Sequence, residues 1–179
     1  RALIELSSAT VFCVDSEPQV LAAAQIHFGL PLNCRCTAEI ADATDFVVQA
    51  AQGEHFRVII VDCFTGDGMA ACVADGTLPR HLADCLAPDG LCVLNLHLLS
   101  DVVPSQVMVP LSQRFDAVHI VRMRSSQNVI AICHNNRGFD WQEMLAAAHD
   151  IVGPGGLRAK EACPDIECNA LMEQLEYVG

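Results

Sequence analysis

The 179-residue sequence predicts an α/β fold, a doubly wound and mostly parallel sheet that ends in an antiparallel edge hairpin. Three observations carry that prediction. Short apolar, β-branched runs alternate with helical patterns of ten or so residues, which is how βαβ units read when both faces of a parallel sheet are covered. The last two such runs, Val118-His-Ile-Val121 and Asn128-Val-Ile-Ala-Ile-Cys133, follow one another with no helix between them, which implies a closing hairpin. Hydrophobic residues make up 52% of the chain against 18% charged, and this length is sufficient for a real core.

The elements follow in order. Thr10-Val-Phe-Cys-Val14 is a buried-strand run ended by Asp15-Ser-Glu-Pro18. Pro18 suits the first turn of a helix, where its missing N–H is harmless, and Val20, Leu21, Ala24 and Phe28 give that helix an apolar stripe until Gly29. Arg35 to Ile40 reads as a weaker strand, and Asp42 to Gln52 as a helix with Phe46, Val47 and Ala50 on one face. Val58-Ile-Ile-Val61 is a strand that breaks at Asp62 and Gly66-Asp-Gly68. Leu78 to Leu86 reads as helix, Pro88-Asp-Gly90 as a turn, and Leu91 to Leu96 as a fully apolar strand. Gln106 to Phe115 is a further helix before the hairpin. Trp141 to Ile151 and the segment through Leu171, Leu175 and Tyr177 are the last helices expected. Without repeats, low-complexity stretches or linkers, residues 1–179 read as a single domain.

Charge and composition exclude several functions. Asp plus Glu number 22 against 10 Lys plus Arg, a net charge of −12, which argues against direct nucleic-acid binding because phosphate needs clustered cations. No apolar run approaches the roughly 20 residues that span a bilayer. The ten cysteines include no C-x-x-C pair, and Cys13, Cys63, Cys92 and Cys133 lie inside apolar runs, so reduced thiols in a reducing, cytoplasmic compartment are expected. The seven histidines show no metal-ligand spacing, and no metal is expected.

In an open α/β sheet, ligands bind beyond the carboxyl ends of the strands. Three acids occupy those positions: Asp15 followed by Ser16, Asp42 followed by Ala43, and Asp62. A carboxylate at the first can accept from both hydroxyls of a ribose, yet Asp15 or Ser16 serves equally well as a helix N-cap. Asp42 could accept from an adenine amino group, or cap the next helix. Asp62 follows four apolar residues, where a carboxylate without a purpose is costly. Together the three suit a ligand with hydroxyls, amines or a positive sulfonium and do not suit phosphate, for which no glycine-rich P-loop is present.

The strings Val11-Phe-Cys-Val-Asp15-Ser-Glu-Pro18, Ala41-Asp42-Ala-Thr-Asp45-Phe46, Phe56-Arg-Val-Ile-Ile-Val-Asp62 and Leu86-Ala-Pro-Asp-Gly-Leu-Cys-Val-Leu-Asn-Leu96 occur in that order. This series resembles the class I S-adenosylmethionine-dependent methyltransferases, in the Rossmann-like branch that shares its sheet with spermidine synthases. Within the branch it is similar to the carboxyl-terminal domains of the methyltransferase-like thirteen family, which modify elongation factor 1-alpha. The resemblance implies S-adenosylmethionine as cofactor. Asp15, with Ser16, would hold its ribose, Asp42 and the Ala43 backbone its adenine, and Asp62 would stand beside its reactive end as the catalytic acid. It also implies a protein amine as substrate, elongation factor 1-alpha-like. The family's first strand and glycine-rich loop are expected ahead of Arg1, which would make the domain N-terminally incomplete.

Phe64 and Thr65 stand where the branch carries a further acid, and the next acid is Asp67. Three readings therefore remain: a protein-amine methyltransferase, a catalytically inactive methyltransferase-like fold serving as a binding module in a homo-oligomer or larger assembly, and, last, aminopropyl transfer of the spermidine-synthase type.

Overall fold

The structure, a computed structural model, describes residues 8–53, 55–97, 104–122, 128–136, 138 and 140. The expected helices after residue 140, with Cys163 and Cys168, lie outside the described residues.

The first half is a βαβα unit. Strand β1 (Val11–Asp15) leads into α1 (Pro18–Phe28), with Pro18 at its start and Gly29 closing it at φ 64°, a left-handed conformation that glycine adopts without a Cβ clash. Strand β2 (Cys36–Ile40) pairs parallel to β1, with Asp15 opposite Ile40. Helix α2 (Ala43–Ala50) is capped by Asp42, as the helix-cap reading predicts, and buries Val47 and Ala50.

The second half is a four-stranded sheet in the order β3 (Phe56–Val61), β6 (Leu86–His97), β8 (Asn128–His134) and β7 (Ala117–Arg122). β3 and β6 are parallel, and β8 runs antiparallel to both β6 and β7, so the closing hairpin is present as predicted. Between them come a small hairpin of β4 (Phe64–Thr65) and β5 (Gly68–Met69), a short helix α3 (Ala71–Ala74), a 3₁₀ helix (Pro79–Cys85) and, after β6, α4 (Ser105–Arg114). Leu94, Leu96, Leu82, Val107 and Leu111 are fully buried among these elements. Each such side chain contributes about 1.5–3 kcal/mol of transfer free energy, and this layer is the main core.

Three details differ from the sequence reading. The segment expected as α-helix over Leu78–Leu86 winds as a 3₁₀ helix, and neither α3 nor the β4–β5 hairpin has a periodicity long enough to be read beforehand. The turn expected at Pro88-Asp-Gly90 lies inside β6 as a shift in its register with β3, and Arg57 Nη2 donates to Asp89 Oδ2 across it at 3.2 Å. The apolar stripe of α1 is only thinly covered: Leu21 and Ala24 are half-buried, no residue of the helix is buried, and Ile26 and Phe28 are 75% exposed. Helix α4 runs through Pro110, which lacks the N–H that would reach the Gln106 carbonyl, and Gly76 packs so close to that carbonyl that a Cβ would overlap it.

β1 and β3 bond to β2 and β6 respectively but not to one another. They meet through Phe12 and Phe56, whose rings lie edge to face at 6.3 Å, while Val58 and Ile60 of β3 remain more than half exposed.

Candidate functional site

Each predicted acid stands at the carboxyl end of a parallel strand. Asp15 is the last residue of β1, half-buried, and its Oδ1 accepts from the Glu17 amide at 2.8 Å. Ser16 follows it on the surface. The Ala41 amide donates to the Asp15 carbonyl at 3.1 Å, which ties the end of β2, and so Asp42, to the end of β1. Asp42 Oδ1 accepts from the Thr44 and Asp45 amides at 2.8 and 3.2 Å, and Ala43 is the first residue of α2. Asp42 is thus a helix cap, whereas the cap expected of Asp15 or Ser16 is not formed: Glu17 stands at the N-cap of α1 without a side-chain cap bond, and Asp15 closes the turn before it through one oxygen. Asp62 follows β3 directly, is exposed, and accepts at Oδ1 from Asn95 Nδ2 at 2.9 Å. Among the described residues the Oδ2 atoms of Asp15, Asp42 and Asp62 have no hydrogen-bond partner, so each carboxylate keeps one oxygen for a ligand.

Asp15 and Asp62 converge although their strands belong to separate ladders. Cys63, next to Asp62, has its thiol pushed up to about 11, first by burial, then by Cys72 and by the negative charges of Asp62 and Asp15. Both carboxylates thus lie near enough to Cys63 for their charge to reach its thiol. Asp67 stays within its own hairpin, its amide donating to Thr65 Oγ1 at 3.3 Å.

Sequence reasoning missed Asn95 and Asn128. Their signal was a polar residue inside the run Leu91–Leu96 and another opening the last strand, and neither type belongs in a buried strand without a partner. A cavity of about 420 Å³ lined by Phe12, Glu39, Phe46, Gln49, Ala50, Gln52 and Gly53 contains none of the three acids. No group of three or more metal-capable side chains occurs among the described residues, and no described helix is long and apolar enough to cross a membrane. The eight described cysteines are free; burial pushes the Cys133 thiol up to about 12 and that of Cys92 well above its ordinary value, so these two are inert packing groups.

No protein-family model matches the chain. Among curated proteins it is 29% identical to the eEF1A lysine and N-terminal methyltransferase of Bos taurus over 79% of its length, and 26% identical to that of Danio rerio over 95%. It spans only about a quarter of those relatives, 22% and 26% of their lengths. Among solved structures, human methyltransferase-like protein 13 in complex with SAH superposes with a TM-score of 0.66 at 22% identity, over 76% of this chain and 67% of the other. Spermidine synthase from Thermotoga maritima gives 0.55 at 15% identity, over 75% and 50%. The fold expectation is met by these neighbours. In fold the chain is similar to S-adenosylmethionine-dependent methyltransferases and spermidine synthases, and in sequence to the curated methyltransferases.

Proposed function

We propose that the chain is part of an S-adenosylmethionine-dependent methyltransferase that acts on a protein amine in the cytoplasm, with an elongation factor 1-alpha-like protein as substrate. The observation that carries this reading is the set of three strand-end carboxylates, two of them converging on Cys63, each with one oxygen uncommitted. The donor set fits the cofactor: carboxylates accept from ribose hydroxyls and an adenine amino group and favour a positive sulfur. The activities for which the curated relatives are named and the SAH bound to the human neighbour support the same reading.

When bound, S-adenosylmethionine supplies an electrophilic methyl on a positively charged sulfur. Asp15, with Ser16 beside it, holds the ribose. Asp42 and the Ala43 backbone meet the adenine edge. Asp62 would use Oδ2 to orient the incoming amine and to take up the proton that amine gives up. Positioning is the larger part of such catalysis, since the methyl donor is already activated.

A second reading keeps the fold as a binding module in a larger assembly. The exposed Ile26 and Phe28 on α1 favour it, because large apolar side chains left open on one helix mark a covered face. Calorimetry with S-adenosylmethionine separates the two. Binding that weakens by roughly tenfold or more in Asp15→Ala supports the methyltransferase, the loss matching about one charged hydrogen bond. Absence of binding in the wild type rejects it, and unchanged affinity in the variant rejects the ribose assignment.

A further inference from the structure

A row of four polar side chains crosses the carboxyl end of the β3–β6–β8 sheet. Asn95 Nδ2 donates to Asp62 Oδ1 at 2.9 Å, Asn128 Nδ2 donates to Asn95 Oδ1 at 2.9 Å, and His97 Nδ1 lies 3.2 Å from Asn128 Oδ1. Register builds the row. Val61 pairs with Leu94, which puts Asp62 beside Asn95, and His97 pairs directly with Asn128. Asn95 and His97 are two apart on β6 and share a face.

The row has a direction. Asn128 uses its amide protons on Asn95, so its oxygen must accept, and His97 therefore carries its proton on Nδ1. All three donors then point toward Asp62. Aligned amide dipoles polarise one another, and the last link, to a carboxylate, is charge-assisted. Alone, Asn95 could flip its amide and turn an oxygen toward the carboxylate; the bond from Asn128 forbids that flip. Asn95 is half-buried on the face of β6 opposite to Leu94 and Leu96, which are at 0% exposure.

We propose that Asn95 and Asn128 are positioning residues, with His97 as their outer anchor, that fix Asp62 so that its Oδ2 faces the sulfonium end of the bound cofactor. This rests on the role assigned to Asp62 above. S-adenosylmethionine carries the positive sulfur and S-adenosylhomocysteine does not, so a fixed carboxylate discriminates between them while general damage to the cleft weakens both.

The test is calorimetry with both compounds on the wild type, Asn128→Ala and the equal-sized Asn128→Leu, together with the Asp62 13Cγ resonance near neutral pH. Affinity for S-adenosylmethionine is expected to fall roughly five- to tenfold with S-adenosylhomocysteine unchanged, the size of one charged hydrogen bond's orientation. The Asp62 resonance moves in both variants. Equal weakening of the two compounds, or no change in either, overturns the proposal. If the wild type binds neither compound, the methyltransferase reading fails by itself. The 13Cγ signal then decides the relay: movement in folded Asn128→Leu upholds it as a device that orients Asp62, and a static signal overturns it.

Discussion

The two halves of the molecule are built to different standards. Around β6 the sheet is packed to crystal-like closeness: Cys92, Leu94, Leu96, Ala131 and Cys133 are all at 0% exposure. In the β1–β2 unit only Cys36, Val47 and Ala50 are buried, and α1 buries nothing. Yet the candidate site draws on both. Asp62 is held by the dense half, through Asn95, whereas Asp15 and Asp42 bond only to backbone amides two or three residues further on in the thin half. The lesson is a division of labour. The acid assigned to chemistry is fixed by the core, and the acids assigned to grip the cofactor sit where adjustment costs little.

Substitutions can break that contrast. Leu94→Ala removes a fully buried side chain from the dense half and is expected to cost about 3 kcal/mol in denaturant unfolding, while Ile26→Ser on α1 stays within about 0.5 kcal/mol. Equal costs would erase the distinction. Asp42→Ala removes the cap of α2 and is expected to cost about 1 kcal/mol, together with weaker binding of S-adenosylmethionine. Loss of stability with intact binding would reduce Asp42 to a cap.

The smallest expected effect concerns pH. His119 and His134 meet through their Nε2 atoms at 3.0 Å at the outer hairpin of the dense half. Burial lowers both imidazoles from 6.5, His119 further through its neighbour, while a hydrogen bond with the Asn136 backbone and then the charge of Asp116 partly oppose the shift at His134. A folded pKa below the unfolded one means that the unfolded chain takes up protons first as pH falls. Stability from this pair is therefore complete above about pH 6.5 and is lost as pH falls through the lower folded values. The melting temperature should drop between neutral and mildly acidic pH, and His119→Phe should flatten that slope.

Much of this was legible beforehand for identifiable reasons. Val58–Val61, Leu91–Leu96 and the two closing strands are unbroken β-branched or apolar runs, and burial on both faces writes itself into such runs. The acids were findable because the carboxyl ends of parallel strands are where such sheets bind. The β4–β5 hairpin was not, because strands of two residues carry no period. Asn128 could be noticed as a polar residue opening a strand, but its role could not be read. Its value lies in a partner 33 positions away, and only the register of β6 with β8 brings the two together.

The register of β3 with β6, which sets Asp62 beside Asn95, depends on the stretch at Pro88-Asp-Gly90. Between Phe56–Leu86 and Val58–Leu91, β6 advances five residues while β3 advances two. Had the ladder run on evenly from Phe56 and Leu86, Asp62 would stand beside Cys92, a sealed thiol with no amide to offer. The three surplus residues work as a spacer in a combination lock. They turn no key themselves, but shortening or lengthening them by one would bring the wrong tooth of β6 to the carboxylate. Tolerance to insertion, usually greatest at turns, should here be least at the one place where the sequence looks most like a turn.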